Sequence, residues 1–183
     1  MTPVYFDTSV FLAILKKEKT AQKIRELLQQ LQAERVRIYT SIITVQECSV
    51  LGFRRGTVVR DNITRVGKIA RVVGITPEIA LTAAKLEAQL ADNGNETEYS
   101  RAEKKRRKWD CFHIATAQVY KCGTLFAEDK PMQGREISLG LKDILIRPPR
   151  PLAKERGLFT ATEEASAEAE TTKAAAAKTP DSG

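Results

Sequence analysis

The sequence predicts an α/β domain in which helices pack on a mainly parallel β-sheet. Short apolar runs that favour strands alternate with longer segments whose apolar residues recur at helical spacing. This alternation is typical of parallel sheets, because the crossover between two parallel strands usually contains a helix. The hydrophobic fraction of 42% suffices for a core, and the length of 183 residues favours one domain with an additional tail.

The first half of the chain is predicted to contain two strands, each followed by helical sequence. Residues 4–6 form an apolar run that ends at Asp7, and residues 9–15 are predicted to be helical. A clearer helix follows, with apolar residues at i, i+3, i+4 and i+7: Ile24, Leu27, Leu28 and Leu31. Residues 36–40 alternate as a strand does, and a helix is predicted over residues 42–53.

The next part of the chain is predicted to be helical. One amphipathic face is formed by five apolar residues: Ile63, Val66, Ile69, Ala70 and Val73. Thr76, Pro77 and Glu78 predict the start of a second helix, because they supply an N-cap residue, a proline at the first helical position and an acid. Residues 109–121 are predicted to form a buried, alanine-rich helix that Gly123 caps at its C-terminal end.

The domain is predicted to end near residue 150. Two further strands are predicted over residues 125–127 and 143–147, and prolines follow them. Residues 151–183 are rich in Ala, Glu, Thr and Lys and contain few large apolar groups, so we expect a disordered tail. The tail carries four Lys/Arg and six Asp/Glu, a net charge of −2, whereas the whole chain carries +7. Residues 1–150 therefore carry about +9, and so basic a domain favours an anionic partner such as nucleic acid.

Three cysteines, Cys48, Cys111 and Cys122, bear on the setting of the protein. Their odd number and the lack of a C-x-x-C pair predict neither a disulfide framework nor a zinc site. The sequence also shows no signal-peptide pattern and no apolar stretch near the ~20 residues that span a bilayer. We therefore expect a cytoplasmic protein without a membrane partner.

Four acids, Asp7, Glu47, Asp110 and Asp129, follow predicted strands or begin predicted helices. In an open parallel sheet the strand-to-helix junctions meet at the carboxyl edge of the strands, where ligands bind. Carboxylates gathered there would repel one another unless a cation bound between them. Carboxylate oxygens suit the hard ions Mg²⁺ and Mn²⁺, which can bind a phosphodiester and activate water.

Each acid also has a local structural interpretation. Asp7 is a reasonable N-cap for the helix that follows it, and Thr44 with Glu47 matches the S/T-x-x-E capping box. Asp110 can stabilise the N-terminus of its predicted helix, and Asp129 is a plausible turn residue. The functional hypothesis depends on all four acids lying at one edge of the sheet.

A basic run precedes Asp110 and follows a polar loop over residues 92–99. It contains six cations against one acid: Arg101, Lys104, Lys105, Arg106, Arg107 and Lys108. Such a run is either a solvated helix face or mobile loop, or a binding surface for a nucleic-acid backbone. Tyr99 and Trp109 flank the run and could stack on bases, although packing is the more common role of a tryptophan.

The four acids stand in segments that resemble the motifs of the PIN-domain ribonucleases, in particular the VapC-like toxins of bacterial toxin–antitoxin pairs. The matching segments are, in order, residues 4–10, 44–47, 110–117 and 125–129. The resemblance implies a three-layer α/β/α sandwich that usually forms a homodimer. It also implies a Mg²⁺- or Mn²⁺-dependent endoribonuclease with an RNA substrate and, for a toxin, a cognate antitoxin protein.

The same resemblance implies roles for individual residues. Asp7, Glu47, Asp110 and Asp129 would be the catalytic and metal-binding acids. Ser9 would help to hold metal-bound water or phosphate. The sequence departs from many relatives at Pro131, where they carry a further acid, and this departure puts a second metal position in doubt.

His113, the only histidine, stands three residues after Asp110 and so lies on nearly the same helix face. It could serve as a general base because histidine titrates near neutrality. A histidine in a buried helix is more often a hydrogen-bonded packing residue, and we expect that role here.

Two other functions remain open at this stage. A phosphatase with an aspartate nucleophile usually carries Asp-x-Asp after its first strand, whereas Ser9 occupies the second of those positions here. The second alternative is a catalytically weak or inactive module that binds RNA or a protein partner. Metal-dependent RNA cleavage would separate the nuclease from such a binder, and hydrolysis of small phosphomonoesters would favour the phosphatase.

Overall fold

A five-stranded parallel sheet forms the centre of the fold. The computed structural model describes residues 2–56, 59–92 and 100–152. The strands are β1 (Val4–Phe6), β2 (Ile38–Ser41), β3 (Arg71–Val73), β4 (Thr124–Phe126) and β5 (Leu145–Arg147). They lie side by side in the order β3-β2-β1-β4-β5, and every neighbouring pair is parallel. The predicted fold class, an α/β domain on a parallel sheet, is confirmed.

Seven helices in the described residues cover the two faces of the sheet. They are α1 (Thr8–Leu15), α2 (Ala21–Ala33), α3 (Ile42–Arg55), α4 (Val59–Ile69), α5 (Pro77–Asp92), α6 (Arg101–Val119) and α7 (Lys130–Ser138). One core joins the first four helices to Val4 and Phe6, and the other joins the last three to Tyr5 and Leu125. Because successive strand residues point to opposite faces, β1 contributes to both cores. The result is the three-layer α/β/α arrangement that the resemblance implied.

Two elements differ from the prediction because they are short. Val73 was assigned to the amphipathic face that begins at Ile63, but the structure ends α4 at Ile69 and forms β3 from the next residues. A three-residue strand is too short for its period to stand out from that of a preceding helix. The sequence also gave no indication of α7, which begins directly after Asp129 with Pro131 in its first turn.

The basic run is helical, which corrects the position predicted for Asp110. Helix α6 begins at Arg101 rather than near residue 109, because Ser100 and Glu103 form a reciprocal capping box. Asp110 therefore lies in the third turn of α6, and the interpretation that it stabilises a helix N-terminus is wrong. At the other end, Lys121 rather than the predicted Gly123 adopts the left-handed conformation, with φ of 52°.

Some predictions fall outside the described residues. Tyr99 and the tail from residue 153 onwards are in this group, so their predicted roles remain predictions. Met1–Pro151 form one compact unit. Within the described residues, none of the helices combines the length and apolar character needed to cross a membrane.

Candidate functional site

The four acids predicted from the sequence line one cavity of about 1030 Å³ at the carboxyl edge of the sheet. Asp7 follows β1, Asp129 lies beyond the end of β4, and Glu47 lies in the second turn of the helix that follows β2. Asp110 reaches the same cavity from the middle of α6. The structure thus brings together four acids that are as many as 122 positions apart in the sequence.

Asp7 is held in place by Ser9. The backbone N–H and the hydroxyl of Ser9 both donate to Asp7 Oδ2, at 3.0 and 2.7 Å. The Ser9 hydroxyl also accepts a hydrogen bond of 2.9 Å from the backbone N–H of Glu128, which follows β4. Asp7 is therefore the N-cap of α1, as its local interpretation predicted, and also a cavity residue. The hydrogen bonds of Ser9 orient this carboxylate and link the ends of β1 and β4.

Glu47 is not part of a capping box. The N-cap of α3 is Ser41, and the Thr44 hydroxyl instead shares hydrogen bonds with Thr8 and Thr40. The Glu47 side chain is 35% exposed and lines the cavity. Burial alone would raise the pKa of Glu47, but hydrogen bonds from His113 and Thr8 outweigh it and lower the pKa below its ordinary value.

His113 is buried between two of the acids. Its Nδ1 shares a 2.7 Å hydrogen bond with the Tyr5 hydroxyl, and its Nε2 lies 3.3 Å from Asp7 Oδ1 and 3.9 Å from Glu47 Oε2. Burial favours the neutral imidazole, but the negative charges of Asp7 and Glu47 outweigh that effect and raise the pKa of His113. The expected hydrogen-bonded, buried state is observed, and the imidazole additionally bridges the two carboxylates.

Asp110 pairs with Arg135, a residue that the sequence did not single out. Arg135 Nε donates to Asp110 Oδ2 at 3.0 Å, and both side chains are largely buried. Burial raises the pKa of Asp110 to about 6 although Arg135 opposes the shift, and the charge of Asp7 adds to the rise. Arg135 belongs to α7, so no sequence signal placed it near an acid 25 positions earlier.

Asp129 precedes α7 and occupies its N-cap position, but its side chain makes no capping hydrogen bond. The carboxylate lines the cavity instead. Pro131 lies in the first turn of α7, where the missing N–H of proline is tolerated, so it has a structural role there. The turn interpretation of Asp129 is therefore replaced by a helix start.

The basic run divides into three groups on α6. Lys105 and Arg106 line the cavity with Trp109, which packs against Phe112 at a ring-centroid distance of 5.9 Å. Arg107 is buried, so it is unsuited to the RNA contact predicted for it. The remaining cations of the run are exposed and do not line the cavity: Arg101, Lys104 and Lys108.

The cavity residues fit a divalent cation in donor chemistry. Four carboxylates supply the hard oxygen ligands that such an ion prefers. The donors are not assembled beforehand, since no three Asp, Glu, His or Cys side chains in the described ranges are grouped closely enough to hold an ion. Arg135 already pairs with Asp110, and His113 Nε2 lies near both Asp7 and Glu47.

Comparison with known proteins gives a family match and several structural neighbours. A family model described as the PIN domain matches residues 4–133. Mycobacterium tuberculosis VapC20, described as a sarcin-ricin-loop-cleaving toxin, is 19% identical with a TM-score of 0.50, covering 70% of this chain and 92% of its own. Rickettsia felis VapBC2 bound to a promoter DNA fragment is 12% identical with a TM-score of 0.55, covering 78% and 96%.

A toxin–antitoxin complex from Klebsiella pneumoniae is 18% identical with a TM-score of 0.49, covering 81% of this chain and 99% of its own. No curated protein sequence matches the chain. At these identities the solved structures show a shared fold alone. The family model covers 130 of the 183 residues and includes all four acids of the cavity.

Proposed function

The chain belongs to the PIN-domain family, and from that premise we propose that it is a ribonuclease that hydrolyses RNA phosphodiester bonds in the cavity. The observation that supports this most is the composition of the cavity. Carboxylates from four separate segments line it, and the cations Lys105 and Arg106 line the same space. Acids suit a catalytic divalent ion, and the cations offset the repulsion that those acids would exert on a polyanion.

Asp7, Glu47, Asp110 and Asp129 would hold Mg²⁺ or Mn²⁺. A divalent ion bound there supplies a polarised water for attack on phosphorus and neutralises charge on the leaving oxygen. Pro131 leaves the second metal position without the acid that many relatives carry, so one ion is the simpler expectation.

The surrounding residues position the acids. Ser9 orients the Asp7 carboxylate through two hydrogen bonds. The buried His113 fixes the separation of Asp7 from Glu47, and Arg135 fixes the rotamer of Asp110. These contacts matter because the groups that hydrogen-bond to a metal ligand set its orientation, and hence the geometry of the metal site.

We further propose that the protein is the toxin of a toxin–antitoxin pair, with an antitoxin protein as partner and a homodimer as its assembly. The support is the fold shared with VapC20 and with VapBC2. A small antitoxin-like reading frame immediately next to the gene would strengthen this proposal.

Cleavage of total RNA with and without metal tests the proposed function. Purified protein should leave RNA intact in EDTA and cut it in Mn²⁺ or Mg²⁺, with water as the second substrate. Protein carrying Asp110→Asn, purified in parallel, controls for contaminating ribonucleases and should be at least ~10²-fold slower. Equal cleavage by both proteins, or cleavage that ignores EDTA, would contradict the proposal.

A second candidate function is a PIN-like module that binds RNA without cutting it. The lack of a preassembled group of three ligands in the described residues favours it, as does Pro131. RNA that is bound at micromolar protein but survives intact in Mn²⁺ would support this candidate over the nuclease.

A further inference from the structure

The side of helix α3 that lines the cavity continues past the edge of the cavity. Ile42, Gln46 and Val50 line the cavity at successive turns of that helix. Phe53 and Arg54 follow at three and four residues from Val50, so helix geometry places them on the same face one turn farther on. Both side chains are exposed, Phe53 to 76%.

An exposed phenylalanine alone is ordinary on a protein surface. Its neighbours make this one informative. Val50 and Ile42 are also 43% and 47% exposed, so an apolar strip runs from the cavity to Phe53. Glu47, a proposed ligand for the ion, lies six residues before Phe53, which is about 9 Å along the helix axis at ~1.5 Å per residue. Along α3, Phe53 therefore lies less than two helical turns beyond this acid.

The charge of the segment that begins at the end of this strip favours a polyanion. From Arg54 to Arg71 the chain carries six cations against the single acid Asp61, and all seven side chains are exposed. Surfaces that bind single-stranded nucleic acid combine cations for the backbone with aromatic rings for the bases. A protein partner would use the apolar strip but would have no general need for this excess of positive charge.

We propose that Phe53 and Arg54 form a subsite for an unpaired RNA nucleotide next to the bond that is cut. Phe53 stacks on the base and Arg54 pairs with a phosphate. The subsite requires an unpaired base, because the faces of a base in a duplex are already covered by its neighbours in the stack. This inference rests on the proposed ribonuclease function and assigns to it two residues outside the acidic cavity.

RNA affinity over a salt series tests the subsite. Full-length proteins carrying Asp129→Asn to spare the RNA are titrated with a fluorescent, single-stranded RNA pool in Mn²⁺. Phe53→Ala should weaken binding by roughly tenfold at every salt concentration, since stacking on an aromatic ring typically gives about 5- to 150-fold. Phe53→Trp should keep the affinity. Arg54→Ala should make the slope of log affinity against log salt shallower by about 0.7, as one phosphate contact is lost.

Leu81→Ala is the matched control, because Leu81 is 73% exposed on α5 and lies outside the strip. It should change neither affinity nor slope. A duplex RNA of the same length should show no loss with Phe53→Ala. The proposal is overturned if Phe53→Ala and the control bind single-stranded RNA alike while the parent cleaves RNA, and in that case the proposed function stands.

Two other outcomes overturn the subsite for different reasons. A parent protein that neither binds nor cleaves RNA removes the proposed function and the subsite together. A Phe53→Ala protein with unchanged RNA affinity but an altered sedimentation coefficient would assign this face of α3 to a second copy of the chain.

Discussion

Substitution of Arg135 by methionine removes the partner of a buried carboxylate while keeping most of the side-chain volume. Arg135 Nε bonds Asp110 Oδ2 at 3.0 Å, and the side chains are 17% and 8% exposed. Breaking a buried ion pair from one side costs about 3–5 kcal/mol, because the remaining carboxyl must either stay charged without a partner or take up a proton. The residual exposure of Arg135 places the expected loss near the lower end, about 3 kcal/mol of unfolding free energy.

Thermal and urea unfolding measure this loss. At about 2–4 °C per kcal/mol for a protein of this size, Tm should fall by roughly 6–12 °C in metal-free buffer. The double variant Arg135→Met with Asp110→Asn should recover much of the stability, because no charge is then left buried without a partner. Mn²⁺ should raise the Tm of Arg135→Met more than that of the parent, since an ion at Asp110 replaces the lost positive charge.

Two results of these unfolding measurements would contradict the explanation given for the stability loss. If Arg135→Met stayed within ~0.5 kcal/mol of the parent, the pair would contribute no more than an exposed surface contact. If the double variant were less stable than Arg135→Met alone, the loss would come from packing of the arginine stem and not from the stranded carboxylate.

Two further substitutions test the positioning and steering roles. Ser9→Ala should lower kcat for RNA cleavage by about tenfold with little change in KM, because it frees the Asp7 carboxylate but leaves the cavity cations Lys105 and Arg106 in place. Unchanged kcat in a steady-state assay would contradict this. Replacing Lys105 and Arg106 by Ala should weaken RNA binding and flatten its salt dependence, whereas replacing the exposed Lys104 and Lys108, which do not line the cavity, should have a smaller effect. If both double variants lost RNA affinity equally over a salt series, the position of a cation on α6 would not matter for RNA binding.

The acids of the cavity could be predicted from the sequence because their placement depends on topology. Asp7 and Asp129 lie just beyond strands whose parallel arrangement follows from the alternation of strands and helices. The parallel arrangement alone therefore places these two acids at the carboxyl edge of the sheet, and no side-chain contact has to be known. Asp110 also lines the cavity, although the start of its helix was predicted eight residues too late, because the side of a helix on which a residue lies decides what its side chain meets.

The residues that hold the acids could not be predicted in the same way. Arg135 lies on α7, and Tyr5 meets His113 across 108 positions of sequence, so each contact exists only once the layers have packed. The capping box expected for Glu47 failed for a related reason. Thr44 matched a local pattern, but its hydroxyl turned to Thr8 and Thr40 in the tertiary structure.

The most direct test of the central claim compares two neighbouring acids, of which only one lines the cavity. Asp129 lines it and makes no capping hydrogen bond, so Asp129→Asn should leave the fold intact and remove only a carboxylate from the site. Glu128→Gln, one residue earlier, is the matched control.

RNA cleavage rates are measured in Mn²⁺ for the parent and both variants, with Tm recorded for each. We expect Asp129→Asn to be at least ~10²-fold slower than the parent at equal Tm, and Glu128→Gln to cut at the parental rate. Parental cleavage by Asp129→Asn would contradict the claim that the acids of this cavity cut RNA.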